Sequence, residues 1–143
     1  MNKIIKIGIV GLASLFLGCD KDEEISNCDK DVVISQTEYE NAPNDRFEIL
    51  EMRIVGNCLK IKFWASGNDG KSWAVELIGF GNYDKSNPPQ TTLRLSLDNK
   101  EAGRAIIEKE ISFNLEPLVE YFRHHGTNKL YLNISGEGIL FEY

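Results

Sequence analysis

Between residues 47 and 143, apolar and polar side chains alternate in short runs, and this period of two decides what the chain can fold into. Leu59-Lys60-Ile61-Lys62-Phe63-Trp64, Leu93-Arg94-Leu95-Ser96-Leu97-Asp98 and Leu130-Tyr131-Leu132-Asn133-Ile134-Ser135 are the clearest examples. Successive side chains of a strand point to opposite faces, so each run buries one face and wets the other. Residues 47–55, 73–80, 106–115 and 139–143 read as further strands. Gly56-Asn57 reads as a tight hairpin turn, and Ser66-Gly67-Asn68-Asp69-Gly70 and Ser135-Gly136-Glu137-Gly138 as the next punctuations. The pattern predicts an all-β fold: an antiparallel β-sandwich of about seven short strands at roughly ten-residue spacing, with an immunoglobulin-like arrangement as one option.

Helix is expected to be scarce. Residues 99–104 allow one turn at most. Residues 116–125 (Glu-Pro-Leu-Val-Glu-Tyr-Phe-Arg-His-His) carry Pro117 where a first turn tolerates it and Gly126 just beyond, which predicts one short crossover helix.

The N-terminus is of a different kind. Lys3 and Lys6 precede an apolar stretch, residues 7–17. As a helix that stretch would rise roughly 16 Å, short of the ~30 Å hydrocarbon core, so it suits a cleavable leader better than a membrane span. It ends in Leu15-Phe16-Leu17-Gly18-Cys19. This resembles the lipobox of a bacterial lipoprotein signal peptide; a leader removed elsewhere or a short buried helix are the alternatives. The resemblance implies lipidation of Cys19 and an outer-membrane anchor through acyl chains, each buried CH₂ adding about 0.8 kcal/mol of membrane affinity. Asp20-Lys21-Asp22-Glu23-Glu24 then resembles the export signal of surface lipoproteins in the Bacteroidetes, a plain acidic tether being the other reading. The expected organisation is a signal peptide at 1–18, the lipidated Cys and tether at 19–30, and a β-sandwich at 31–143, in the manner of small Bacteroidetes surface lipoproteins.

Loss of Lys3 and Lys6 with the leader would take the formal net charge from −6 to −8. Such a surface repels phosphate backbones and anionic lipid, so nucleic acid is not an expected partner and the acyl chains are the expected membrane contact. Cys28 and Cys58 are the other cysteines. Outside the inner membrane they can form a disulfide. Two buried thiols or a metal pair are the alternatives, the last disfavoured because no His is nearby.

Ala65-Ser66-Gly67-Asn68-Asp69-Gly70-Lys71-Ser72 matches a relaxed P-loop pattern. A phosphate-binding loop opens a helix, whereas Trp73-Ala74-Val75-Glu76-Leu77-Ile78 is strand-like, so the segment reads as a hairpin loop. It lacks the spaced carboxylates of a calcium loop. His124 and His125 point about 100° apart on a helix, and Glu120 shares a face only with His124, too few groups for zinc. No nucleophile elbow or cysteine–histidine signature is present, so no catalytic residue, metal or cofactor is assigned. Trp73 reads as a core anchor. If Leu59, Ile61 and Phe63 face inward, Lys60, Lys62 and Trp64 face outward and form a candidate ligand platform, with Tyr83 as a possible neighbour; Trp64 folded over a sheet edge is the plainer alternative. The expected function is a lipid-anchored binding or accessory module, not an enzyme, holding a glycan, a peptide or an envelope protein on loops 66–72, 81–90 and 123–128. A structural or assembly subunit pairing through a sheet edge near Tyr143 is the alternative, and a small hydrolase the third.

Overall fold

The computed structural model describes residues 27–143. The leader, Cys19 and the acidic segment 20–24 lie outside the described residues.

Two sheets face one another. The first runs in the order β1 (Lys30–Asp31), β7 (Ala105–Asn114), β4 (Cys58–Gly67), β3 (Glu48–Val55). The second runs β2 (Val33–Ile34), β5 (Ala74–Gly79), β6 (Gln90–Asp98), β8 (Lys129–Ile134), β9 (Glu137–Glu142). The alternation works as the sequence implies. Leu59, Ile61 and Phe63 of β4, Leu93, Leu95 and Leu97 of β6, and Leu130, Leu132 and Ile134 of β8 are fully buried in one core between the layers. Trp73 joins that core, its ring 6.1 Å from Phe63. Two short helices flank the sandwich, α1 (Gln36–Asn41) and α2 (Glu116–Phe122).

Several expectations are corrected. The sheets are mixed: β1 runs parallel to β7, β2 to β5 and β6 to β8. Parallel neighbours need crossover connections, and here the chain repeatedly switches layers, so sequence neighbours are often not sheet neighbours. Nine strands rather than seven are present among the described residues, because β1 and β2 are two-residue strands too short to show a period. The loop after β4 is not a hairpin: β4 lies in the first sheet and β5 in the second, so the loop is an arch between layers. Residues 99–104 form no helical turn; they carry the chain without regular structure from β6 to β7. A helix is added at α1, where the Ser35 hydroxyl accepts from the Glu38 amide at 3.2 Å as an N-cap.

Other connections follow local chemistry. Val55 pairs with Cys58 across Gly56-Asn57, and Ile134 with Glu137 across Ser135-Gly136, both two-residue turns with positive φ where the chain reverses (59° at Gly56, 49° and 91° at Ser135 and Gly136). α2 begins with Pro117 in its first turn, buries Leu118 and Phe122 one turn apart, and gives way to a single 3-10 turn, Arg123–His125, closed by Gly126 at φ 66°.

The entry to the sandwich is bonded early. Cys28 and Cys58 form a disulfide with Cα atoms 5.6 Å apart. The Asp29 carboxylate accepts from the amide and hydroxyl of Ser112, both at 2.8 Å, and Lys30 opens β1. The segment read as the last of the tether is therefore already fastened to β4 and β7.

Candidate functional site

The outer face of the first sheet presents Lys60, Lys62 and Trp64 from β4, a strand flanked on both sides. Lys62 lies opposite Glu51 of β3 and Glu110 of β7, and Trp64 opposite Glu48 and Glu108. The lysines sit in a charge ladder with the sheet's own carboxylates. Lys62 pairs with Glu108 at 3.3 Å. Arg53 grips Glu110 with two bonds of 2.9 and 3.0 Å. This bidentate contact holds the Glu110 carboxyl below its ordinary range, with Lys60 and Lys62 adding to the effect, and raises Arg53 in turn. Hydrogen bonds from Ser112 lower Asp29, against a partial opposing effect of burial and with a small contribution from Lys60. The lysines thus act as counter-ions, and Trp64 is the half-exposed aromatic at the end of the row.

What gives Trp64 a cavity is a stretch that shows no period in the sequence. Residues 42–47 leave α1 and run beside the second half of β6, past the end of β8. The Asp45 amide donates to the Leu97 carbonyl at 3.0 Å, and the Ser96 hydroxyl donates to the Pro43 carbonyl at 2.7 Å. The chain then passes to the first sheet as β3. Pro43, lacking an amide, and the polar pair Asn44-Asp45 were the available signal that this segment is a fixed crossing.

A concavity lies on each side of the crossing. On one side a cleft of about 430 Å³ is lined by Trp64, Ser66, Asp45, Arg46 and Asn99. Its polar groups are pre-positioned: the Asn99 side-chain amide donates to the Ser66 carbonyl at 2.7 Å, and the Asp45 carboxylate accepts from the Asn99 amide at 2.7 Å. Arg46 has no ion pair among the described residues. On the other side a groove of about 660 Å³ runs past Tyr39, Arg94, Ser135 and Glu137. There the Arg94 guanidinium lies 5.6 Å from the Tyr39 ring centre and donates to the Ala42 carbonyl at 2.8 Å.

The three loops expected to carry ligand do not meet. Loops 81–90 and 123–128 come together: the Tyr83 ring stacks on His125 with centroids 3.8 Å apart and rings 15° from parallel, and Phe122 packs against both. Loop 66–72 precedes β5 while loop 81–90 follows it, so they occupy opposite ends of that strand. Glu120 pairs with Arg123 rather than joining the histidines. Among the described residues no group of three His, Cys, Asp or Glu side chains is placed to hold a metal ion.

The P-loop-like segment does wrap an anion, and the anion is the protein's own. The Glu101 carboxylate accepts from the amides of Asn68, Gly70 and Asp69 at 2.7, 3.1 and 3.3 Å and from the Ser72 hydroxyl at 2.9 Å. Desolvation pushes its pKa up, but these donors outweigh it and hold the carboxyl at about 2. Successive backbone amides converging on an oxygen anion form a nest, and here the nest is filled from within.

No family model matches the chain, and no curated protein matches it in sequence. Solved structures do share the fold. A Bacteroides vulgatus protein of unknown function (DUF1344) superposes with a TM-score of 0.54 at 14% identity over 80% of this chain and 56% of its own. A NigD-like immunity protein from Bacteroides caccae gives 0.54 at 13% identity over 78% and 57%. A candidate lipoprotein from Bacteroides fragilis gives 0.52 at 7% identity over 80% and 70%. The chain thus spans a little over half the length of the first two. At these identities the likeness is one of fold.

Proposed function

We propose that this chain is a lipid-anchored cell-envelope module that binds a glycan in the cleft beside Trp64. The observation that carries the reading is the composition of that cleft. A half-exposed indole shares it with Arg46, Asp45, Ser66 and Asn99. Sugar rings combine an apolar C–H face with a rim of hydroxyls. An aromatic plane bordered by a cation, a carboxylate and an amide matches both surfaces. Anchoring rests on the lipobox-like run ending at Cys19 and agrees with the candidate lipoprotein among the structural neighbours. A glycan array read with the soluble chain 20–143, beside Trp64→Ala and Arg46→Ala, tests the ligand. Binding that both substitutions abolish supports it; an array without signal, or signal indifferent to both, removes it. Labelling with radioactive palmitate, with Cys19→Ser as the comparison, tests the anchor.

A second reading, an envelope protein as partner, is favoured by the open flank where β3 and β9 form the adjacent edges of the two sheets. Pull-down from solubilised envelope separates this reading from the first.

A further inference from the structure

We propose that the free edge of β3 pairs antiparallel with β3 of a second copy of this chain, about a twofold axis at Met52. Among the described residues β3 is hydrogen-bonded on one side only, to β4. Val55 and Cys58 close a two-residue turn and so exchange both backbone bonds. Antiparallel pairs alternate between bonded and non-bonded. Arg53 opposite Lys60, and Glu51 opposite Lys62, therefore turn their amides and carbonyls toward β4. Met52 and Ile54 turn theirs to the open side.

That edge is self-complementary in one register. With the axis at Met52, each Glu51 faces the other copy's Arg53 on the outer face, twice over, and joins there a guanidinium that Glu110 and, at 3.7 Å, Glu51 of its own chain already hold. These are non-bonded pairs, whose Cα atoms sit about 4.5 Å apart and whose side chains are close. On the inner face Met52 meets its own copy, so half-buried apolar surface becomes covered. The irregularity between Ile49 and Glu51 ends the pairing at Leu50. The bulge and the charges Glu48, Glu51 and Arg53 restrict what can add to this edge, and a second copy in this register meets the charges with opposite ones. β9 offers no such match, since its only charged residues are Glu137 and Glu142. An isologous contact of this kind closes on itself as a dimer. It leaves the Trp64 cleft's chemistry untouched and stands or falls apart from the glycan reading.

The test uses the full chain. Met52→Cys places one thiol on the axis, at a Cα separation of about 5.5 Å that a disulfide spans. A dimer band on a non-reducing gel is expected. Ile54→Cys, two residues off the axis, is expected to give little. Sedimentation of the unsubstituted chain should show a monomer–dimer equilibrium. Glu51→Arg, which sets like charges across the axis and leaves the Arg53–Glu110 bonds in place, should weaken it about tenfold or more. A purely monomeric unsubstituted chain, equal cross-linking from Met52→Cys and Ile54→Cys, or an undiminished equilibrium in Glu51→Arg would overturn the proposal.

Discussion

The carboxylate of Glu101 reaches across from the β6–β7 crossing and takes a 2.7 Å hydrogen bond from the backbone amide of Asn68 in the β4–β5 arch. The two loops that carry the chain between layers at this end of the sandwich are thereby tied to each other. Because the folded carboxyl sits at about 2 against an ordinary 4.5, the unfolded chain binds the proton more readily. The contribution to stability is therefore fully present above pH 4.5 and is lost as pH falls toward 2. Urea midpoints followed over that window should fall more steeply for the native chain than for Glu101→Gln. Parallel pH profiles would show that the nest does not act on stability through this group.

Adjacent residues of β4 should respond in opposite ways. Phe63 is fully buried between the layers, against Trp73 and 6.0 Å from the Phe47 ring. Removing its ring leaves a cavity in a close-packed core, and Phe63→Ala is expected to cost about 3–5 kcal/mol. Trp64 points to the other face and lines the open cleft. Trp64→Ala should cost about 1 kcal/mol or less. Denaturant unfolding of both variants settles the matter; a Trp64 loss as large as that of Phe63 would place the indole in the core and remove the cleft's aromatic wall.

What could be read in advance was what is written locally. Period two in residues 59–64, 93–98 and 130–135 located β4, β6 and β8 and their inward faces, and Gly56-Asn57 and Ser135-Gly136 located two turns. The arch at 66–72 looks like a hairpin in sequence because Asn, Asp and Gly supply turn geometry whichever sheet receives the next strand. The parallel pairing of β6 with β8 is long-range, so no residue within either strand reports it. α1 could have been found, since Ser35 followed three residues later by Glu38 is a cap signature. Of the candidate site, Trp64 was legible as an outward side chain. Its companions Asp45, Arg46 and Asn99 were not, because a crossing segment and a loop far apart in sequence bring them to it.

The Cys28–Cys58 disulfide joins residues separated by 30 positions, and it fastens the chain's entry to the start of β4. On the chain-entropy account such a loop stabilises the folded state by about 3–4 kcal/mol, by restricting the unfolded chain. Reductant should lower the urea midpoint correspondingly, and Cys28→Ser with Cys58→Ser should reproduce the lowered value and be indifferent to reductant. An unchanged midpoint on reduction would mean that the Asp29–Ser112 bonds and the pairing of β1 with β7 hold the entry without the disulfide.

Gly103 tests how tightly the two crossing loops are packed. A methyl group there would run into the backbone carbonyl of Gly67 and the side-chain oxygen of Asn68. The first obstacle is main chain within β4, which cannot turn aside as a flexible side chain would. Gly103→Ala must therefore push residues 99–104 away from the arch, and with them Glu101 from its amides. At Gly126, by contrast, a Cβ meets nothing within 4 Å, and the cost of Gly126→Ala is only that of a positive φ of 66°. Gly103→Ala should consequently lose more stability than Gly126→Ala, and it should also flatten the acid dependence between pH 4.5 and 2 that the Glu101 nest creates. Hydrogen exchange at the Asn68 and Gly70 amides gives the local readout: protection lost in Gly103→Ala and kept in Gly126→Ala is the expected result, and protection kept in both would show that the loops can separate without disturbing the nest.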